Sequence, residues 1–535
     1  MREAVATLNA PERGDAPRPT NITYAVYDIH RWSLGADFGA LTSDNEASDM
    51  WATVRMRVGD YAFDNTHHMP NDQREFWRLR GSLGWVTMPA DASPAVARRI
   101  FREETDRRYV RAATDLGAVK AAQAVATAPQ DPSPDLSQEE PEVAIRPLSN
   151  LSFDAAPWRE RLRRVSKSFT ATPALLGGNA WAHASDETRL TVTSEGTVIQ
   201  EPERSLTVGL RAWTRSADGT DLSLQWDAWT PDPAKLPSEA ELMAHAADLA
   251  TRVEALRAAS PAEPYVGPML ISGRAAGVLF HEVLGHPLEG HRQREEEEAQ
   301  TFRTKVGEAI LPPFISVICD PTLKVLDGMA LSGAYEFDDE GVRGQRVVLA
   351  QAGILKGFLL SRRPVMGFAH SNGHGRGEAG FLPVARQSNL LVETSVKFSE
   401  AELRQKLRDL AHDKGLPYGL YVSEVSRGEA HTERGEPNAF NVTPVEVFRI
   451  WVDGRPDELV RGVELVGTPL AALQKIVAAG DKPQVFNGTC GAESGWVPVS
   501  ASSPALLLAE VEVQRSAKST WRPPILPPPG AELKP

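Results

Sequence analysis

His281-Glu282-Val283-Leu284-Gly285-His286 places two histidines around a glutamate in a segment that is otherwise small and apolar. Neutral imidazole binds divalent zinc well, and a catalytic zinc site needs three protein ligands and an open position for water. A glutamate beside a ligand histidine is placed to take a proton from that water. In the zinc-protease spacing H-E-x-x-H, both histidines sit one helical turn apart on one face. Here the second histidine comes one residue later. At about 100° per residue, positions i and i+5 lie roughly 140° apart on a straight α-helix, too far apart to chelate one ion. A π-bulge of about 4.4 residues per turn brings them to within roughly 50°, and such bulges tend to occur at functional sites. Gly285 and Pro287 are the residues expected beside a distorted turn. The stretch is therefore either a bulged zinc helix or a pair of core histidines hydrogen-bonded to backbone.

The flanking sequence places it in a core. Tyr265–Ile271 reads as a short buried strand, and 273–280 runs helically into His281. Two residues compete as a third ligand. His291 has the first-to-third offset of the H-E-x-x-H-x-x-G-x-x-H proteases, but the middle histidine and the glycine are displaced from that pattern. Cys490 sits in Asn487-Gly488-Thr489-Cys490-Gly491, which reads as a glycine-flanked loop between a helix and a strand. A thiol there would bind zinc as thiolate; without metal it would be a small buried hydrophobe.

With 535 residues the chain is long enough for two or three domains. A net charge of −13 and the lack of a basic stripe argue against nucleic-acid binding. No run approaches the ~20 apolar residues that span a membrane, and Met1-Arg2-Glu3-Ala4 opens no signal peptide. The expected location is cytoplasmic if Met1 is the true start. Two cysteines, Cys319 and Cys490, are no disulfide framework.

Along the chain, residues 1–20 are rich in proline, alanine and charge, and are expected to be disordered. Strands near 22–27 and 51–58, followed by a helix over 92–125, give an N-terminal α/β domain over 21–126. Residues 127–147 read as a linker, and His67-His68 as a polar loop pair. An antiparallel meander and a long helix capped by Ser238 fill 148–260. Residues 261–513 read as a large mixed or antiparallel β-rich domain with helices near 399–412 and 468–478, and 514–535 as a proline-rich tail. The fold class is α+β. Asp338-Asp339-Glu340-Gly341 reads as an acidic turn without calcium-loop spacing, and 371–377 as a flexible glycine-rich loop.

Several segments in the same order resemble the TldD/PmbA metallopeptidases, in their catalytic TldD-like branch. His281-Glu282-Val283-Leu284-Gly285-His286-Pro287-Leu288-Glu289-Gly290 resembles an H-E-x-x-G-H-x-x-E-G signature. Phe337-Asp338-Asp339-Glu340-Gly341 resembles a D-D-E-G segment, and Asn487 to Gly491 with Val497-Pro498-Val499 resembles the C-terminal cysteine loop. The resemblance covers 263–513 well and weakens toward the N-terminus. It implies that His281, His286 and Cys490 hold Zn2+, with Glu282 activating a zinc-bound water. It implies hydrolysis of peptides or unfolded polypeptides threaded as an added strand, and a homodimer or a heterodimer with a PmbA-type subunit. His291 stands where the family needs no ligand. The polar, proline-interrupted run from Arg434 to Thr443 leaves peptide specificity open. One alternative is a non-catalytic metal-binding or regulatory subunit, against which an intact Glu282 argues. A regulator of nucleic-acid enzymes is another, and the acidic charge opposes it.

Overall fold

In a computed structural model of the chain, the described residues are 1–10, 14–67, 84–124, 131–149, 151, 153–295, 298–430, 432, 440–467 and 469–515. His68, most of 433–443 and the tail beyond 515 lie outside them.

Strands Pro19–Asp37 and Ala40–Val58 form one long antiparallel hairpin. Its tight turn uses positive φ at both Phe38 (46°) and Gly39 (90°), the backbone twist that two-residue hairpins favour. The first of these strands also pairs, along most of its length, with Gly177–Thr193. That strand pairs with Val198–Arg215, which in turn pairs with Asp221–Thr230. The result is a seven-stranded sheet among the described residues. The segments expected as separate units over 21–126 and 148–260 therefore share one sheet. Helices Ala155–Ser168 and Glu239–Ala258 bury Trp158, Leu162, Val165, Leu249 and Val253 against its Leu34, Ala182 and Leu210. The second of these helices starts in a capping box between Ser238 and Glu241.

Two N-terminal expectations need correction. Residues Arg2–Leu8 are helical, and Leu8 is buried in the cluster that holds Tyr109 and Leu116 of helix Pro94–Gln123. Apolar anchorage there overrides a disorder-like composition. The described part of the expected linker, 131–147, is stapled down, with Asp135, Leu136 and Ser137 all buried. Asp135 pairs with Arg294 at 2.9 Å and with His67 Nδ1 at 2.9 Å.

The C-terminal part is organised on a twelve-stranded mixed sheet among the described residues. Its central strand is the long Gly495–Arg515, which pairs antiparallel with Tyr265–Ile271 and parallel with Asn389–Thr394. Tyr418–Ala430 and Phe440–Trp451 extend the sheet on the Tyr265–Ile271 side. Helix Gly273–Phe280 is capped by Ser272, which accepts from Ala275 N at 3.3 Å. It rides directly on the central strand: at Gly273 a β-carbon would collide with the Ser503 carbonyl, and at Gly277 it would fit only tightly against the Ala501 carbonyl. Phe280, Val283 and Leu284 then join Met269, Leu506 and Leu508 in one core.

Cys490 lies in a strand rather than a loop. Ile476–Ala492 pairs with Gly495–Arg515, placing Cys490 opposite Val497. The helix expected over 468–478 is shorter, Pro469–Gln474, because the strand begins at Ile476. The 371–377 segment is also no flexible loop, since Ser371, His374 and Arg376 are buried. Asp338 to Gly341 does turn, with Gly341 at φ 83°. No helix among the described residues is long and apolar enough to cross a membrane.

Candidate metal centre

The helix that starts at Gly273 does not continue straight through the histidines. His281–Gly285 is a π-helical turn, and His286–Leu288 follows as a tighter 3₁₀ turn containing Pro287. The wider turn moves His286 round to the side of His281. Their ring centroids lie 4.9 Å apart with the planes at 83°. Gly285 is required at the bend, because a β-carbon there would overlap the Gln387 carboxamide. Gln387 Nε2 in turn donates to the His281 carbonyl at 3.2 Å.

Cys490 reaches the same point from the hairpin. Its Sγ is 3.2 Å from His286 Nε2, and one donor atom from each of His281, His286 and Cys490 lies within 4.8 Å of the others. Two tetrahedral zinc ligands of this type would sit ~3.6 Å apart, so the pocket is closely of the right size. Two imidazoles and a thiolate also suit a borderline-soft cation. His291 is not brought to this group. It turns away to bond Glu493, and its side chain is fully buried.

The electrostatics favour a thiolate. Burial alone would raise the Cys490 thiol, but the two facing histidines hold it well below 9.0. Burial likewise opposes a charged His286, yet Cys490 and Glu289 lift it well above 6.5. Glu282 is raised by burial, with the two histidines pulling the other way. Its Oε2 lies 3.9 Å from His286 Nε2. The Glu282 side chain rests against Gly428, where any larger residue would collide with it.

Four further residues hold this arrangement, and the motif reading gave none of them a role. Glu289 accepts from His286 Nδ1 at 3.1 Å and from Arg292 Nε at 2.9 Å. Burial would raise its carboxyl, but His286 and Arg292 hold it at about 2. Arg386 is fully buried and donates to the Cys490 carbonyl at 2.7 Å, to its Sγ at 3.2 Å and to Ser494 Oγ at 2.9 Å. Its Nε is also 3.4 Å from Glu289 Oε1. Arg292 bridges Glu289 to Glu493, with Nη2 at 2.9 Å from the latter. Glu289 was visible as the last acidic position of the quoted signature. Arg386 and Gln387 had no sequence signal beyond a polar interruption between apolar runs.

Residues 265–515 match the PmbA/TldA metallopeptidase C-terminal domain. That match assigns the C-terminal part of the chain, residues 265–515, to the TldD/PmbA family. A Haemophilus influenzae protein named metalloprotease TldD homolog is 30% identical over 251 residues, 46% of this chain and 48% of that protein. An Archaeoglobus fulgidus protein named metalloprotease is 30% identical over 239 residues, 45% of this chain and 51% of its own length. The chain thus spans about half the length of these curated relatives. A Saccharolobus solfataricus relative, 22% identical over 253 residues (46% of this chain, 51% of that protein), is named zinc metalloprotease TldD homolog. The fold extends further than the sequence similarity. TldE from Thermococcus kodakarensis superposes with a TM-score of 0.60 at 15% identity, covering 92% of this chain and 96% of that one. A Thermotoga maritima protein titled as a modulator of a DNA gyrase gives 0.61 at 14% identity, covering 96% and 99%.

Proposed function

We propose that the chain is a zinc-dependent peptidase acting on peptides or unfolded polypeptides, with Glu282 as the base. The observation that carries this reading is the convergence of His281, His286 and Cys490 donor atoms within 4.8 Å, on the same turn that presents Glu282. Zinc bound by those three residues would supply Lewis acidity to a water and to the scissile carbonyl. Glu282 takes the proton from the attacking water and returns it to the departing amine. Its burial raises its basicity, which suits a group that must accept and then release a proton. Glu289 fixes the His286 ring through Nδ1, and Arg386 fixes the Cys490 strand through its carbonyl. We also propose that the chain works as a homodimer or paired with a PmbA-type subunit.

The test is metal analysis of purified protein alongside cleavage of an unfolded polypeptide. Glu282→Ala is expected to retain zinc and to lose hydrolysis by about 10²–10⁴-fold. Full activity in that variant overturns the assignment. Bound zinc with no hydrolysis in the wild type would favour the regulatory-subunit reading instead.

A further inference from the structure

A cavity of about 420 Å³ lies between the first sheet and the C-terminal hairpin. Its floor is one face of the first sheet, where Tyr27 pairs with Trp51 and Arg189, and Ile29 pairs with Glu187. Its far wall includes Trp496, Val497 and Pro498, whose backbone pairs with Gly491, Cys490 and Thr489. The cavity therefore borders the strand next to the one that carries Cys490.

Most charges lining it are already engaged. Arg189 pairs with Asp339 and lies 3.3 Å from Glu201. Arg376 donates to the carbonyls of Gln387 at 2.6 Å and Pro498 at 2.7 Å. Asp338 accepts from Gly375 N at 2.8 Å, Asp339 from Gly377 N at 2.8 Å and Glu378 from Trp496 N at 3.0 Å.

Glu187 and Glu203 differ. They are direct cross-strand partners, Glu187 half-buried and Glu203 exposed at the mouth. Neither makes a hydrogen bond or ion pair with another described residue, and like charges directly opposite repel. Burial and Glu203 together push Glu187 up to about 7, against the weaker pull of Arg189 and Arg31. Beside them the indoles of Trp51 and Trp85 stack with centroids 5.1 Å apart; the Arg31 guanidinium already lies 4.9 Å over the Trp51 ring, while Trp85 is 46% exposed. Indole faces hold the stem and charge of a cation, and free carboxylates supply its counter-charge.

We infer that this cavity is a subsite for a cationic side chain, an alkylammonium or guanidinium, on a peptide presented to the metal centre. The inference rests on the peptidase reading and names its substrate class. Glu187 and Glu203 take the charge, the exposed Trp85 indole takes the aliphatic stem, and the Trp496–Pro498 strand links the subsite to the Cys490 hairpin.

Binding is measured by fluorescence anisotropy on Glu282→Ala protein loaded with zinc, so that hydrolysis plays no part. The probes are a labelled hexapeptide with one arginine and the same peptide with citrulline in its place. The arginine peptide is expected to bind about tenfold more tightly. The preference should vanish in the added double substitution Glu187→Gln/Glu203→Gln, with zinc content unchanged. Agmatine, a free guanidinium, should displace the arginine peptide from the parent protein but not from the double variant. Equal affinity for the two peptides, or an undiminished preference in the double variant, overturns the subsite. So does agmatine binding that depends on the two glutamates while the peptides bind alike, because the site then serves a free small cation. Failure of the peptidase reading would show separately, as hydrolysis surviving Glu282→Ala. Each single glutamine variant should melt no lower than the parent, which separates a binding defect from misfolding.

Discussion

Replacing Glu289 with glutamine keeps the shape of the side chain and removes its charge. Three cationic or donor groups surround that carboxylate in the structure: His286 Nδ1 at 3.1 Å, Arg292 Nε at 2.9 Å and Arg386 Nε at 3.4 Å. A carboxylate that holds a metal-ligating histidine typically accounts for 10–100-fold in metal affinity, or about 1.4–2.7 kcal/mol. Glu289→Gln should weaken zinc binding by that much, measured by competition with a chelator of known affinity at fixed pH. Breaking a buried ion network adds a second, metal-independent cost of ~3–5 kcal/mol in the stability of the metal-free protein. The wild-type contribution has a defined pH range. The folded pKa of about 2 lies below the usual 4.5, so the stabilisation is complete above 4.5 and is lost as pH falls toward 2. Glu104→Gln is the control, because Glu104 is a buried carboxylate paired with Arg107 and Arg108 within helix Pro94–Gln123, outside the donor set. Zinc affinity in Glu289→Gln equal to that in the control would refute the role assigned to Glu289.

Gly285→Ala should force the Gln387 carboxamide off the His281 carbonyl, costing ~1–3 kcal/mol of stability by overpacking and making zinc easier to strip; an unfolding curve and chelator half-time identical to wild type would contradict this. Cys490→Ser should reduce zinc retention because an alcohol replaces a thiol held well below its ordinary pKa, as metal content after dialysis would show. His374 is fully buried, and desolvation drops its pKa from 6.5 to about 3. Between those values the unfolded chain binds a proton that the folded one does not, so stability drops as the pH is lowered, by up to ~1.4 kcal/mol per unit. The advantage of wild type over His374→Gln in urea unfolding should therefore shrink by ~2 kcal/mol from pH 6.5 to 5, and a constant difference would show that His374 titrates normally.

The i, i+5 histidine spacing is a local property, so the sequence could carry the demand for a wider turn, and the π-helical His281–Gly285 meets it. Helix Glu239–Ala258 was legible for the same reason, since the Ser238 cap and the Glu241 box sit within one turn. What escaped the sequence is long-range. Arg386 meets Cys490 across 104 residues, and Gln387 meets His281 across 106. Nothing in a polar run such as Arg386-Gln387-Ser388-Asn389 says which distant backbone it will satisfy. The proline-rich 127–147 segment misled in the opposite sense, because composition reports weak local structure and is silent about Asp135 docking on Arg294. Cys490 was placed in a loop because its glycines suggest one, whereas pairing with Val497 across a long hairpin overrides their low strand propensity.

The position of that hairpin also sets a time at which the centre can exist. His286 leaves the ribosome 204 residues ahead of Cys490. Cys490 and the strand Gly495–Arg515, which fills the middle of the sheet between Tyr265–Ile271 and Asn389–Thr394, follow every other described strand of that sheet. A nascent chain arrested before residue 490 has two imidazoles and no thiolate, and its sheet lacks the strand on which the motif helix rests. Translation runs N-terminus first, at about 5–20 residues per second. Assembly of the His281, His286 and Cys490 donor set therefore waits for the hairpin that completes this sheet, and a nascent polypeptide shorter than that cannot bring the three donors together.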